Sequence, residues 1–419
     1  MIFNLNTLRR YFQTLLTSVF LVITVGCTEQ QPTTADSEVS KDEIWRFTLQ
    51  LNSDVLPFTA LVENGFEEGS RLRIHNADET ISVSLDRISG DTLYYRMPVF
   101  NSELALRRES PELVTGTWTD FDRKNYSIPV IAESGMNFRF TPTKSTTELA
   151  PRYKVRFGGP DGYDALLLLD NDRGHLTGTF LTETGDYRYL EGNIMNGKVN
   201  LSTFDGSHAF VFDALISGDS LKSGRFISGT HYSEQWIGVA DEDFELSHPT
   251  ELVSANSTIE PFTFSLPDLN GDTVTHLDFI DGKTIHIYDI TGSWCPNCKD
   301  AALTLEQIAS TYDSNAIRVI PIAFERSNDL NTAKQAISRM QNDLELQEYF
   351  LFGGKVSREN TTRAFPALEK IMAYPTIVIT DKHGHPVKVF TGFYGPGTGF
   401  YHDRFKADIT TVIDSLISQ

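Results

Sequence analysis

The fold of the C-terminal third of the chain is decided by residues 284–298, TIHIYDITGSWCPNC. The first seven of these residues have the composition of a buried central strand, and the strand runs directly into two cysteines separated by Pro-Asn. Downstream, small and apolar residues recur at helical spacing, at Ala301, Ala302, Leu305, Ile308, Ala309 and Tyr312. The stretch therefore predicts a strand-to-helix junction with the cysteine pair at the start of the helix.

This position suits thiol chemistry. A helix N-terminus presents unpaired backbone N–H groups and the positive end of the helix dipole, which favour thiolate over thiol at Cys295. Pro296 fits the first helical turn because no N–H partner is needed there. Cys298 lies one turn further in. We expect Cys295 to attack a substrate disulfide and Cys298 to resolve the mixed disulfide.

Residues Trp294–Cys298, the strand before them and the helix after them resemble the thioredoxin superfamily, and specifically its extracytoplasmic TlpA/ResA-like branch of thiol-disulfide oxidoreductases. Ala373-Tyr374-Pro375-Thr376 matches the family's cis-proline loop, and Phe390–Phe393 precedes a helix predicted over Arg404–Ile417. The resemblance covers residues 258–419. It implies an α/β thioredoxin fold in the order βαβαββα with an insertion.

The resemblance also implies roles for single residues. Asp289, six residues before Cys295, matches the buried acid that accepts the proton of the resolving cysteine. The cis-proline loop is expected to pack against the active site and to offer backbone to the substrate. The residues expected to contact substrate are Trp294, Pro296, Tyr374 and Pro375.

The chain departs from the family pattern at two positions. TlpA-like proteins usually carry Glu three residues after the second cysteine, where this chain has Ala301, so Asp289 is expected to carry the proton relay alone. Tyr374 is bulkier than the residue usual before the proline and would narrow substrate choice. Glu325 closes a predicted strand at the carboxyl edge of a parallel sheet, and it is a candidate second acid.

Other parts of residues 258–419 fit the same fold. The turn Asn270-Gly271-Asp272 predicts a hairpin. Between the cysteines and Pro375 the sequence predicts a strand at Ile317–Phe324, a helix near Asp329–Asn342 and further material up to Leu368. This region is longer than a minimal thioredoxin requires and agrees with the insertion that TlpA-like proteins carry.

Residues 1–26 predict a secretory signal. Arg9-Arg10 is followed by a short uncharged stretch that is too short to span a bilayer comfortably. Cys27 follows Gly26, so the signal resembles that of a bacterial lipoprotein, in which this cysteine is lipidated. Thr24 departs from the pattern, since Leu, Val or Ile is usual there. An uncleaved anchor helix, or secretion with an unpaired Cys27, is the alternative.

The predicted signal places the protein in the bacterial cell envelope, facing the periplasm or in the outer membrane. Residues 27–43 are polar and predict a flexible tether. The chain has 3 cysteines, so lipidation of Cys27 leaves only Cys295 and Cys298. A disulfide between them would close a very small loop and add little stability, which favours redox chemistry over a structural role.

Residues 44–250 show short alternating apolar runs between Gly, Asn and Asp turns, such as Ile81–Leu85. This pattern predicts an all-β antiparallel domain, either a sandwich or a barrel. Three segments place an aromatic residue two positions after Gly116, Gly178 and Gly224, which indicates recurrent strand pairs in one or two sheets. Three other segments resemble β domains that precede thioredoxin modules in some envelope lipoproteins: Asn76–Glu79, Met97–Phe100 and Leu201–Gly206.

Charge and composition limit the partners. The net charge of −20 repels phosphate backbones, so nucleic-acid binding is not expected. The histidines are scattered and predict no metal site. We expect no cofactor beyond a redox-active Cys295-Cys298 disulfide. The expected partners are protein dithiols or disulfides, a membrane thiol-relay electron donor and the lipid anchor itself.

Two other functions fit parts of the sequence. A peroxiredoxin-like thiol peroxidase would want Thr three residues before the reactive cysteine, where this chain has Gly292. An envelope binding lipoprotein with a non-catalytic redox domain would show an unreactive cysteine pair, or one that cellular thiols never reduce. A protein disulfide reductase is the favoured hypothesis.

Overall fold

The computed structural model describes residues 42–253, 262–368 and 370–419. They fall in a single unit, made of two β barrels followed by an α/β module. The predicted signal, Cys27 and most of the tether lie outside the described residues, as does part of the predicted boundary between residues 250 and 258. Within the described ranges, no helix is both long enough and apolar enough to cross a bilayer.

The first barrel is built from strands with one buried face. In β1 (Glu43–Leu51), every second side chain from Trp45 to Leu51 is buried, as the two-residue period of a strand requires. Pairing of β8 with β1 closes the ring. The remaining strands are β2 Asp54–Glu63, β3 Arg71–Asn76, β4 Glu79–Ser89, β5 Thr92–Arg96, β6 Ser102–Ser110, β7 Leu113–Asp120 and β8 Tyr126–Ser134.

The second barrel follows directly. Its strands are β9 Arg152–Phe157, β10 Tyr163–Asp172, β11 His175–Thr182, β12 Gly185–Asp186, β13 Leu190–Met195, β14 Lys198–Phe204, β15 Ala209–Ser217, β16 Ser220–Ser228 and β17 Tyr232–Ala240. The pairings of β17 with β9 and of β10 with β11 close the sheet into a ring, and the short β12 pairs with β11. The predicted β region, treated as one domain, thus contains two barrels and no sandwich.

The recurrent glycines have a packing reason. A Cβ on Gly116 in β7 would lie 2.0 Å from the carbonyl oxygen of Ala105, and one on Gly178 in β11 would lie 2.1 Å from that of Leu168. Both glycines therefore permit a close approach between paired strands. The repeated Gly-x-aromatic pattern therefore marks a close approach of paired strands in each barrel.

The two barrels share part of their core. Phe204, at the end of β14, stacks on Phe58 with 4.6 Å between ring centroids and meets Trp118 edge-on at 5.2 Å. Both partners belong to the first barrel. Aromatic burial of this kind contributes strongly to packing energy, so the barrels are held as one body.

The α/β module contains a hairpin, β18 Ser265–Pro267 with β19 Thr273–Thr275, and a five-stranded sheet in the order β22-β21-β20-β23-β24. Strands β20, β21 and β22 are parallel, and β23 and β24 are antiparallel to their neighbours. The sheet strands are β20 Ile285–Thr291, β21 Ile317–Glu325, β22 Leu351–Lys355, β23 Thr376–Thr380 and β24 Pro386–Thr391. The helices are α1 Pro296–Ala309, α2 Leu330–Leu344, α3 Arg358–Ala364 and α4 Phe400–Ile417.

This order agrees with the predicted βαβαββα arrangement, and β22 with α3 forms the insertion. The hairpin, the strand predicted at Ile317–Phe324 and the helix predicted near Asp329 are all present. The terminal helix begins at Phe400, four residues earlier than predicted, and Gly399 is its N-cap. The α/β module therefore has the order of strands and helices that the sequence resemblance implied.

The first barrel also packs against the α/β module. The backbone N–H of Val99 donates to the Asp343 carboxylate at 2.6 Å. Val99 and Phe100 share an apolar cluster with Ile337 and Met340 of α2. A segment that the sequence marked without any chemistry, Met97–Phe100, is therefore part of the interface with the α/β module.

Candidate active site

The two cysteines lie where the central strand ends and α1 begins. All side chains of β20 are buried, so the strand is held firmly at the centre of the sheet and its carboxyl end has a defined position. Cys295 is the N-cap of α1 in an extended conformation, and Pro296 follows as the first helical residue. The backbone N–H of Cys298 donates to Cys295 Sγ at 3.3 Å. The sulfur at the cap thus accepts one of the unpaired N–H groups of the helix start.

The two thiols differ in access. Cys295 keeps 7% of its surface exposed, whereas Cys298 keeps 0%. Burial raises the pKa of Cys298 well above its usual value, and Cys295 and the Asp289 carboxylate raise it further. Cys295 is thus the more accessible of the two sulfurs, and a thiol with a raised pKa needs a proton acceptor before it can react.

Asp289 is suited to accept that proton. Its side chain is buried, with 1% exposed, and neither carboxylate oxygen has a hydrogen-bond partner among the described residues. Burial raises the pKa of Asp289 to about 7. A buried carboxyl without partners and with a pKa near neutrality can take up and release a proton at physiological pH.

The cis-proline loop faces Cys295. The Tyr374-Pro375 peptide bond is cis, and the Cys295 thiol lies 3.6 Å from the carbonyl oxygen of Tyr374. Gly392, in the segment after β24, donates its N–H to the carbonyl of Pro375 at 3.0 Å. The loop thus brings a backbone carbonyl to the Cys295 sulfur.

Trp294 is held in place beside the motif. Its indole Nε1 donates to the carbonyl of Phe324 at 2.9 Å, and its ring meets Tyr374 edge-on at 5.6 Å. A Cβ on Gly292 would lie 2.5 Å from that Nε1 atom. The threonine that a peroxidase would want at this position would collide with the indole, so the arrangement disfavours peroxidase chemistry.

Glu325, the candidate second acid, is paired differently from Asp289. Its carboxylate accepts from the backbone N–H of Ser293 at 2.9 Å and from the Ser293 hydroxyl at 2.8 Å. Burial raises its pKa to about 7. These contacts tie Glu325 to the turn before Cys295 and give it a visible role in shaping that turn.

The sequence reasoning did not identify a contribution from the second barrel. The segment after β11 lies against the Pro-Asn dipeptide, and the side chain of Asn297 donates to the carbonyl of Asp186 at 3.3 Å. The guanidinium of Arg188 donates to the carbonyl of Pro296 at 3.3 Å. A polar groove of about 700 Å³ beside Tyr163 and Tyr187 ends at Asn297. No motif near Asp186 or Arg188 marks them as part of the site.

No family model and no curated protein matches this chain. Among solved structures, it is similar to a thiol:disulfide interchange protein of the thioredoxin family from Chlorobium tepidum, with 18% identity and a TM-score of 0.28 over 38% of this chain and 98% of that one. It is similar to the thioredoxin domain of a thiol-disulfide oxidoreductase from Bacteroides vulgatus, with 16% identity and a TM-score of 0.27 over 36% and 99%. It is also similar to a thiol:disulfide interchange protein from a Bacteroides species, with 12% identity and a TM-score of 0.27 over 36% and 86%.

Proposed function

We propose that this protein is a thiol-disulfide oxidoreductase that reduces disulfides in other proteins. The observation that carries the proposal is the unequal pair at the start of α1: Cys295 keeps 7% of its surface exposed, and Cys298 is fully buried beside a carboxyl that has no hydrogen-bond partner among the described residues. This is the arrangement that a two-step exchange requires, with one sulfur for attack and one for resolution.

The reaction follows from these positions. The Cys295 thiolate attacks one sulfur of a substrate disulfide, and the other substrate sulfur leaves as a thiol after it takes up a proton. Cys298 then loses its proton to Asp289 and attacks Cys295 Sγ. The second substrate sulfur leaves, and two electrons have moved to the substrate while Cys295 and Cys298 form a disulfide.

Substrate would be held at the cis-proline loop. The backbone of Tyr374 lies against Cys295, so an extended polypeptide can pair with this loop while its disulfide meets the sulfur. Trp294 and Pro375 would flank the same position, and the bulk of Tyr374 would limit which segments fit. The polar groove that ends at Asn297 offers room for residues next to the target disulfide.

We also propose that the protein works in the bacterial cell envelope, anchored through lipidated Cys27. The signal-like residues 1–26 and the retention of only Cys295 and Cys298 beyond Cys27 support this proposal. A membrane thiol relay would then return the Cys295-Cys298 disulfide to the dithiol, because no soluble reductant is expected outside the cytoplasm.

The reduction potential of the cysteine pair tests the direction of this reaction. The chain is equilibrated with glutathione buffers and then dithiothreitol buffers, and the disulfide fraction is read by thiol labelling. We expect a value near about −270 mV, as for thioredoxin, whereas about −120 mV would identify an oxidant instead. A pair that exchanges with neither buffer would contradict the proposal and favour a binding protein.

A further inference from the structure

One buried arginine joins all three parts of the molecule beside the cysteine motif. Arg188 lies between β12 and β13 of the second barrel, with 2% of its surface exposed. Its guanidinium forms ion pairs with Glu79 of β4, with Asp205 at 3.2 Å after β14, and with Asp300 of α1. These carboxylates come from the first barrel, the second barrel and the active-site helix.

The same residue touches the motif directly. One Nη atom donates both to Asp300 and to the carbonyl of Pro296, the residue after Cys295. Two residues earlier, the Asp186 carboxylate accepts from the backbone N–H groups of Arg188 and Gly395, each at 2.6 Å. Its carbonyl accepts from Asn297. The loop of the second barrel therefore contacts both residues that separate the cysteines.

Three carboxylates, those of Glu79, Asp205 and Asp300, surround the Arg188 guanidinium. Burial lowers the pKa of Arg188, but the carboxylates, with Asp300 first, outweigh this effect and raise it, so the guanidinium stays charged. Lys299 lies 3.5 Å from Glu79 and 3.7 Å from Asp300. Without Arg188, the Asp300 carboxylate in the first turns of α1 would lose its main partner, and its negative charge would offset the positive potential at the helix start that favours a thiolate.

We propose that Arg188 is a positioning residue of the active site, through which the second barrel fixes the Pro296-Asn297 turn and sets the reduction potential of the cysteine pair. The inference rests on the proposed function only in requiring that Cys295 and Cys298 be redox-active. If Arg188 has this role, the second barrel is part of the redox site, because it supplies the cation that pairs with Asp300 of α1.

Arg188→Met in the full-length chain tests this role, with Arg139→Met as the matched control. Arg139 is also 2% exposed and pairs with Glu191 at 3.1 Å, but it joins only the two barrels, through contacts such as those to Asn76 and Ser202. The disulfide fraction is measured against dithiothreitol and glutathione buffers, and the alkylation rate of Cys295 is measured at slightly acid pH.

We expect Arg188→Met to lower the equilibrium constant for reduction of the pair about tenfold, equivalent to about 30 mV, and to slow alkylation of Cys295 by a similar factor. Arg139→Met should change neither quantity more than about twofold, and Arg188→Lys should recover part of the loss because it retains the charge. A folded Arg188→Met protein whose equilibrium constant matches that of Arg139→Met would overturn the proposal.

Asp300→Asn provides a second test if Arg188→Met does not fold. Removing that carboxylate takes a negative charge away from the start of α1 while Arg188 stays, so the equilibrium constant should move in the opposite direction, toward the dithiol. A constant that is unchanged, or that moves toward the disulfide, would contradict the inference. If the unaltered pair exchanges with the buffers but the protein reduces no protein disulfide, the proposed function fails while this inference stands.

Discussion

Replacing Cys295 with serine is expected to lower the rate of insulin disulfide reduction by at least about a thousandfold, because the attacking sulfur is removed. Cys298 cannot substitute for it, since its side chain is fully buried and its pKa is raised. The measurement is the dithiothreitol-dependent precipitation of insulin, corrected for the rate without protein. Activity near the level of the unaltered protein would contradict the assignment of the nucleophile.

Cys298→Ser should behave differently, because it leaves the first attack intact. The mixed disulfide between Cys295 and the substrate cannot be resolved within the protein and should accumulate, visible as a covalent adduct under non-reducing conditions. Cys27→Ser is the matched control within the same chain. It removes the third cysteine and should leave the soluble exchange reaction unchanged.

Asp289→Asn is expected to slow the resolving step about a hundredfold at neutral pH, which is the low end of what a positioned general base contributes. The carboxyl acts on buried Cys298, whose proton has to leave before it can attack. In the unaltered protein, the single-turnover release of a mixed disulfide should speed up as pH rises through about 7, the pKa of Asp289. The variant should lose this step in the pH profile.

The same substitution should change how stability depends on pH. The pKa of Asp289 is raised from 3.8 to about 7 by burial, so between these values the unfolded chain ionises while the folded protein keeps its proton. The free energy of unfolding therefore falls as pH rises from about 4 to about 7, by on the order of 2–4 kcal/mol. Urea unfolding at both ends of this range should show that Asp289→Asn makes the decline smaller by about this amount.

Glu325→Gln separates the effect of a buried carboxyl on stability from its effect on mixed-disulfide release. Burial also raises the pKa of Glu325 to about 7. The contribution of Glu325 to the free energy of unfolding should therefore fall with rising pH, as that of Asp289 does. Its carboxylate is bonded to Ser293, so we expect the pH step in mixed-disulfide release to persist. If Glu325→Gln abolished that step and Asp289→Asn did not, the proton acceptor would be Glu325.

Part of the site could be predicted because its residues are close in sequence. Cys295, Pro296 and Cys298 lie within one helical turn, and Asp289 lies on the strand that leads into it. The cis-proline loop is distant in sequence, yet Tyr374-Pro375 could be found because the dipeptide precedes an apolar strand in an order that the family resemblance implies. The structure adds the cis isomer and the contact between Tyr374 and Cys295.

The β region shows where such reasoning ends. Alternating or continuous apolar runs predict strands, but such runs do not say which strand pairs with which. Closure depends on β8 returning to β1 and on β17 meeting β9, which are pairings between strands distant in sequence that no turn motif specifies. The sequence assigns no chemistry to the segments Asn76–Glu79 and Leu201–Gly206, yet in the folded protein Glu79 and Asp205 are partners of Arg188.

By itself, the sequence determined the α/β module, the cysteine pair at its first helix and the β character of the preceding region, because each depends on short-range periodicity and spacing. Only the tertiary structure decided that there are two barrels and that the second contacts the active-site turn. Arg188 is separated from Glu79 by 109 residues and from Asp300 by 112. A buried cation needs its carboxylates within hydrogen-bond reach, and only the folded chain brings them there.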